Sequence, residues 1–409
     1  MEAVKKMTID EQVAYLMQGT EYGDENLKQA MASELHERLL EAQKAGRPLR
    51  VYCGFDPRTS DLHLGHTVPM RKLRQFQELG HEVIFLVGNY TSLIGDPSDK
   101  DKLRPQLTPE EVEHNARTYA EQAFKVLDPE LTQVRFNAEW LSKLTFEELI
   151  RLASNFTLQQ FITRENFRLR WERGDAVYLH ETFYALMQGY DAYALRADVQ
   201  VGGTDQLFNI VTAARKLMTF LGEKPNIGII LGILPGTDGE VKMSKSLGNH
   251  IPLLSSPEDM YGKVMSVPDH AMGTYFRLVT RWTPPEIEEL EAGMAAGRLH
   301  PRDVKMKLAR EIVSIYHSPE AAEHAEQEFI RVFRQGDIPD EMPEYSLQNG
   351  DTVLDVLMNS KLVSSRSEGR RMIDQGAVRL DGETLTGATD PFPHRGVLQV
   401  GKRRFLRVV

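Results

Sequence analysis

The sequence has almost no cysteine. Cys53 is the single one among 409 residues, which excludes an internal disulfide and any zinc site built on cysteines. Long apolar runs are also missing. The most apolar stretch, Ile227 to Leu234, is broken by glycines, and a membrane span needs roughly 18 consecutive apolar residues. The first residues include Glu2, Asp10 and Glu11 and no apolar signal core, and there is no internal repeat or low-complexity tract. A soluble, cytoplasmic protein is therefore expected. Basic charge is in deficit, with 49 Lys and Arg against 59 Asp and Glu and a net charge of −10. Taken as a total, that argues against a nucleic-acid partner.

What is present is ordinary globular material, 41% hydrophobic and 26% charged, too long for one core and suited to two or three domains. The charge is uneven. From Thr352 to Val409 there are ten Lys and Arg against six Asp and Glu, a balance of +4. The preceding 351 residues carry 39 against 53, a balance of −14. Between them, Asp337 to Asp351 holds five acids, two prolines and no base, the composition of an extended linker. A basic module on an acidic body is one way to grip a polyanion; a small domain with solvating charge is the other reading.

The body alternates apolar strands with amphipathic helices. Arg50–Phe55 and Glu82–Gly88 are largely apolar runs, the pattern of parallel strands covered on both faces, and Leu131–Phe136, Asp198–Gly203 and Asn226–Leu231 are further strand candidates. Helix starts stand at Thr108-Pro-Glu-Glu111 and Thr145-Phe-Glu-Glu148, each with a capping hydroxyl and a glutamate three residues on. This predicts an α/β fold with a Rossmann-like doubly wound parallel sheet, its ligand at the carboxyl ends of the strands. From Ser256 to Arg334 the pattern is helix alone, with starts at Ser256-Pro and Thr283-Pro and a break near Pro319. The expected domains are 1–250, a catalytic sheet with N-terminal helices; 251–336, α-helical; 337–351, the linker; and 352–409, a small α+β module.

Two segments carry chemistry. His63-Leu-Gly-His66 stands at a helix start after the first strand, where free N–H groups and the dipole suit an anion. Gly65 allows a ring or phosphate to approach, and two imidazoles can donate to phosphate oxygens. Without a third ligand nearby, the pair does not make a zinc site. Lys242-Met-Ser-Lys-Ser246, between Gly239 and Gly248, sets two lysines and two hydroxyls in a glycine-flanked loop, a mobile clamp for a polyphosphate. Either alone is an ordinary surface feature, and together across an α/β body they are specific.

In that combination they resemble the HIGH and KMSKS signatures of class I aminoacyl-tRNA synthetases. Tyr52-Cys-Gly-Phe-Asp-Pro57, Gly95-Asp-Pro-Ser98, Tyr184-Ala-Leu-Met-Gln-Gly-Tyr-Asp191 and Gln200-Val-Gly-Gly-Thr-Asp-Gln206 narrow the resemblance to the bacterial tyrosyl-tRNA synthetases. The resemblance implies that L-tyrosine is activated with ATP to tyrosyl-adenylate and transferred to tRNA(Tyr). It implies that Tyr52 and Asp191 bind the phenol hydroxyl, that Asp96, Tyr184 and Gln188 hold the α-ammonium, and that Gln206 orients the carboxylate. ATP would meet Cys53, Gly54, Asp56, His63, Gly65, His66, Gly203, Asp205 and Lys245. His63, His66, Lys242, Lys245 and Ser246 would stabilise charge on the phosphates. Lys100, Lys102 or Arg104 would meet pyrophosphate, with Lys100 and Arg104 preferred. Cys53 is also readable as a small buried hydrophobe, Asp96-Pro97 as a turn, and the charge run from Asp99 to Arg104 as solvated surface. No tightly bound cofactor and no protein metal site are expected, only magnesium accompanying ATP.

The tail from Thr352 resembles the small RNA-binding module shared with a ribosomal small-subunit protein. Arg366, Arg370, Arg371, Lys402 and Arg403 would meet RNA phosphates. A homodimer is implied by resemblance alone. The rival readings are the tryptophanyl sibling, against which Tyr52 and Asp191 argue, a small-molecule adenylyltransferase, against which the tail argues, and a silent RNA-binding relative.

Overall fold

The computed structural model describes residues 6–57, 61–98, 108–162, 164–332, 342–348, 350–363, 365–401 and 404–409. The chain divides into two compact units, Met1–Glu323 and His324–Val409.

In the first unit, helices α1 (Ile9–Met17) and α2 (Glu25–Ala45) precede strand β1 (Arg50–Phe55). Then follow α3 (Thr67–Glu78), β2 (Glu82–Val87), α4 (Pro109–Ala123) and β3 (Thr132–Phe136). Four helices, α5 (Ala138–Leu141), α6 (Phe146–Ala153), α7 (Leu158–Ile162) and α8 (Glu165–Arg173), lead to the longer α9 (Leu179–Ala194). Strand β4 (Val199–Gly203) runs on through a π-helical stretch, Phe208–Ala214, into α10 (Arg215–Phe220) and β5 (Ile227–Leu231). The five strands form one parallel sheet in the order β3-β2-β1-β4-β5. The apolar runs are strands because both faces are covered: Val83 to Val87 and Ile227 to Leu231 are buried throughout. The order reverses between β1 and β4, and the crevice at their carboxyl ends is where such a sheet takes a ligand.

The helix starts read from the sequence are present. Thr108 and Thr145 cap α4 and α6 with reciprocal bonds from Glu111 and Glu148. Helices α11 (Pro257–Ser266), α12 (Met272–Val279), α13 (Pro284–Ala295) and α14 (Pro301–Tyr316) follow the sheet within the same compact unit. Helix α15 (Pro319–Ile330) comes next in the chain.

The second unit has its own core of Val353, Val356, Leu357, Ile373, Val378, Leu398 and Leu406. Helices α16 (Val353–Asn359) and α17 (Arg366–Asp374) pack with a sheet ordered β6-β10-β9-β7-β8. Its strands are β6 (Glu344–Tyr345), β7 (Val378–Leu380), β8 (Glu383–Thr384), β9 (Gly396–Val400) and β10 (Arg404–Val408). Within the acidic stretch expected to be a linker, Glu344–Tyr345 pairs in parallel with β10, and the Leu347 amide donates to the Val409 carbonyl. A partner some sixty positions away supplies that pairing, so local composition does not reveal it.

Candidate active site

A cleft of about 770 Å³ opens at the carboxyl ends of β1 and β4. Its wall collects Tyr52, Cys53, Gly54, Asp56, His63, Gly65, His66, Asp96, Tyr184, Gln188, Asp191, Gly203, Asp205, Gln206, Lys242 and Lys245, together with Asp61, Thr91 and Asn137. Ser246 does not line it; that hydroxyl pairs with the Ser244 hydroxyl at 2.9 Å at the loop tip. Lys100, Lys102, Arg104, Lys402 and Arg403 lie outside the described residues.

The inner end is a pocket with a buried carboxyl at its base. The Asp191 side chain, 3% exposed, accepts from the Trp140 indole at 2.7 Å and from the Asn137 amide at 3.2 Å. Burial pushes its carboxyl up to about 8, although both of those bonds pull the other way. Tyr52 is fully buried, and its hydroxyl donates a long 3.5 Å bond to the Gln188 carbonyl. Burial, and then Asp191, holds that hydroxyl protonated. Neither Asn137 nor Trp140 was selected from the sequence. Asn137 had a signal, a polar residue immediately after β3, whereas Trp140 had none.

Around this pocket the polar side chains are cross-linked. The Gln206 amide donates to Asp96 at 2.6 Å and to Asp205 at 3.0 Å. Asn209, on the π-helical stretch, donates to Gln188, Gln206 and Ser98 at 3.0, 3.1 and 3.2 Å. The Tyr184 hydroxyl donates to Asp56 at 3.2 Å, and Thr91 donates to the other Asp56 oxygen at 2.8 Å. Gly88 must be glycine here, because a Cβ would stand 2.2 Å from that oxygen. Cys53 is both things at once, 4% exposed and part of the cleft wall, and burial raises its thiol pKa.

The outer end differs from expectation in one respect. The helix-start N–H groups are occupied: Leu64 donates to the Ile251 carbonyl, Gly65 to His63 Nδ1 and His66 to the His63 carbonyl. The ring nitrogens are what remain. His63 Nδ1 accepts from Gly65 and His66 Nδ1 from the His63 amide at 3.2 Å each. With both Nδ1 atoms accepting, each neutral ring carries its proton on Nε2. Burial, joined by repulsion from neighbouring imidazoles and Lys242, lowers His63 to about 3; burial and Lys242 lower His66 to about 4. Both rings are neutral donors. Gly65 is needed for His63 as much as for a ligand, since a Cβ would lie 3.0 Å from that ring.

The depressed values have a consequence for stability. The contribution of neutral His63 and His66 is present above the unfolded value of about 6.5 and is lost as the pH falls from there toward their folded values. Replacing His66 with glutamine is expected to lessen the drop in unfolding temperature between neutral pH and about pH 5, as followed by scanning calorimetry. An unchanged drop contradicts the assignment.

The lysine loop is anchored at its base and exposed at its tip. Buried Asn249 accepts from the Ser244 amide at 2.8 Å and donates to Asp238. Leu62 to Leu64 pairs with Ile251 to Leu253 through Leu64 N to Ile251 O at 2.9 Å and Leu253 N to Leu62 O at 3.0 Å. Backbone bonds thus fix the histidine segment beside the strand-like stretch that follows the lysine loop. Lys245 Nζ lies 2.6 Å from Asp61, and both side chains are more than half exposed. Such a pair is worth little in water, so a polyphosphate can take the lysine over.

On the second unit, Arg366, Arg370 and Arg371 are exposed on α17, with Arg366 paired to Asp355 at 2.7 Å. Among the described residues no group of three or more His, Cys, Asp or Glu side chains is arranged to hold a metal ion. No helix among them is long and apolar enough to cross a membrane.

Residues 43–334 match the family model described as tRNA synthetases class I (W and Y), and residues 354–389 match the S4 domain. The fold is that of this class. The tyrosine–tRNA ligase of Moorella thermoacetica is 51% identical over 92% of this chain and 91% of its own. That of Oleidesulfovibrio alaskensis is 46% identical over 98% and 100%. The chain belongs to the tyrosine–tRNA ligase family. Solved structures share the fold at low identity. The tyrosyl-tRNA synthetase of Archaeoglobus fulgidus with L-tyrosine has a TM-score of 0.58 at 23% identity, covering 78% of this chain and 100% of that one. The tryptophanyl-tRNA synthetase of Encephalitozoon cuniculi has a TM-score of 0.53 at 18%, covering 73% and 86%.

Proposed function

We propose that the protein activates L-tyrosine with ATP and esterifies it to tRNA(Tyr) at this one cleft. The observation that carries the reading is that one cleft wall brings Tyr52 and Asp191 together with the histidine and lysine segments. A tyrosine carboxylate oxygen attacks the ATP α-phosphorus, the bond to the bridging oxygen breaks, and pyrophosphate leaves. A terminal ribose hydroxyl of tRNA then attacks the acyl carbon and AMP leaves. No protein group forms a covalent bond, so catalysis is positioning plus electrostatics.

In this reading Tyr52 and Asp191 face the substrate hydroxyl, while Asp96, Tyr184 and Gln188 surround the ammonium. Gln206 lies beside the carboxylate. Cys53, Gly54, Asp56, Gly203 and Asp205 border the nucleoside, and the Nε2–H groups of His63 and His66 donate to phosphate oxygens. Lys242 and Lys245 supply charge as the loop closes, and magnesium enters with ATP as part of that substrate. Arg366, Arg370 and Arg371 meet tRNA phosphates. Single-turnover mixing with labelled tyrosine tests the two steps: tyrosyl-adenylate should form without tRNA and discharge onto tRNA(Tyr) when it is added. Absence of adenylate overturns the reading.

A second copy of the chain is the proposed partner for helices α6 to α9. Phe146, Leu158, Trp171 and Leu179 are 77%, 59%, 62% and 69% exposed, more large apolar surface than scattered exposure accounts for. Sedimentation equilibrium should give twice the chain mass, and Phe146→Asp with Trp171→Asp should lower it to one chain. A single-chain mass for the unaltered protein contradicts the dimer.

A further inference from the structure

We infer that Arg164, which does not line the cleft, is a positioning residue for the ammonium end of the tyrosine pocket. The inference rests on the reading above, in which Asp96 meets the ammonium group.

Arg164 stands at the N-terminus of α8 and is 9% exposed. A buried guanidinium needs partners that repay its desolvation. Here they are few and specific. Nη2 donates to the Ser98 hydroxyl at 2.9 Å. The group lies over two rings, 4.7 Å from the Phe208 centroid and 5.2 Å from that of Phe167. Nη1 has no hydrogen-bond partner among the described residues. Burial lowers the guanidinium pKa, and Asp96 is the first of the charges opposing that shift.

The chain of contacts from Arg164 to the pocket is short. Ser98 receives Arg164 and Asn209 on its hydroxyl, while its amide donates to Asp96 at 2.9 Å. The other Asp96 oxygen receives Gln206. From the same corner, Asn166 donates to the Pro97 carbonyl at 2.7 Å. The α8 start therefore grips the Asp96–Ser98 turn twice. A cation behind the turn fixes Ser98, and Ser98 fixes the carboxylate that faces the substrate, before any substrate binds. Phe208 opens the π-helical stretch that carries Asn209, so stacking and hydrogen bonding act on the same two segments.

The test compares ligands with and without an ammonium group, by calorimetric titration of the full-length protein with L-tyrosine, tyramine and desaminotyrosine. Arg164→Gln should weaken tyrosine and tyramine by about tenfold to a hundredfold and leave desaminotyrosine unchanged. Arg164→Lys should recover part of the loss. Ser98→Ala should reproduce the pattern, and it decides the matter where Arg164→Gln does not fold. Equal weakening of all three ligands, or none, overturns the role of Arg164. Asp96→Asn separates the two claims. Loss of ammonium selectivity there but not at Arg164 or Ser98 sinks this inference alone, and its retention in Asp96→Asn sinks the reading of the pocket as well.

Discussion

Lys245→Ala is expected to slow tyrosine-dependent ATP–pyrophosphate exchange by on the order of 10²–10³-fold and to leave tyrosine affinity unchanged. The two effects separate because the lysine lies at the outer end of the cleft, in the loop bounded by Gly248 (φ 69°) and anchored by Asn249. Its ammonium rests on Asp61. That contact is exposed and weak, so little is lost when a triphosphate replaces it. As the bond to pyrophosphate breaks, negative charge grows on the leaving oxygens, and a cation delivered there stabilises the transition state more than the ground state. Neutral His63 and His66 cannot substitute for it, since they bring donors without charge. Exchange rate and tyrosine dissociation constant, measured on the same preparation, check both halves. Unchanged exchange removes Lys245 from the mechanism.

The second large effect is at Asp191. Asp191→Ala is expected to cut kcat/KM for tyrosine by about tenfold to a hundredfold, leave that for phenylalanine nearly unchanged, and so collapse discrimination between them. The carboxyl is held by Trp140 and Asn137 and is 3% exposed. A substrate without the hydroxyl forgoes its own bond to this carboxyl while still displacing solvent from it, and removing the carboxyl removes that difference. The same burial implies a stability cost. A carboxyl raised to about 8 in the fold is protonated there while its unfolded counterpart ionises near pH 4. The folded state therefore loses stability as the pH rises between those limits, with no further loss above the upper one. Asp191→Asn should unfold at a higher temperature than the unaltered protein at pH 8, with the gap closing toward pH 4. A constant gap would falsify the burial argument.

Most of the framework was legible from the sequence because it depends on local rules. Doubly covered parallel strands read as continuous apolar runs, and β1, β2, β4 and β5 fall where those runs fall. Capping boxes are written in four residues, which is why the starts of α4 and α6 were readable. The net charge of −10 was true but uninformative, since it sums a balance of +4 over residues 352–409 and −14 over the rest. What escaped was made by tertiary contact. Trp140 reaches Asp191 across 51 positions, Asp61 reaches Lys245 across 184, and Arg164 reaches Ser98 across 66. Nothing in the local pattern marks those pairs. The occupied N–H groups at His63 belong to the same class, because their loss as an anion site depends on Ile251 and on how a histidine ring folds back.

The central claim is that one cleft selects tyrosine by its hydroxyl and activates it on ATP. ATP–pyrophosphate exchange measured separately with each of the twenty amino acids tests it most directly. The account predicts exchange with tyrosine, little with phenylalanine and little with tryptophan. Exchange led by tryptophan or phenylalanine, or exchange with none of the twenty, would contradict it.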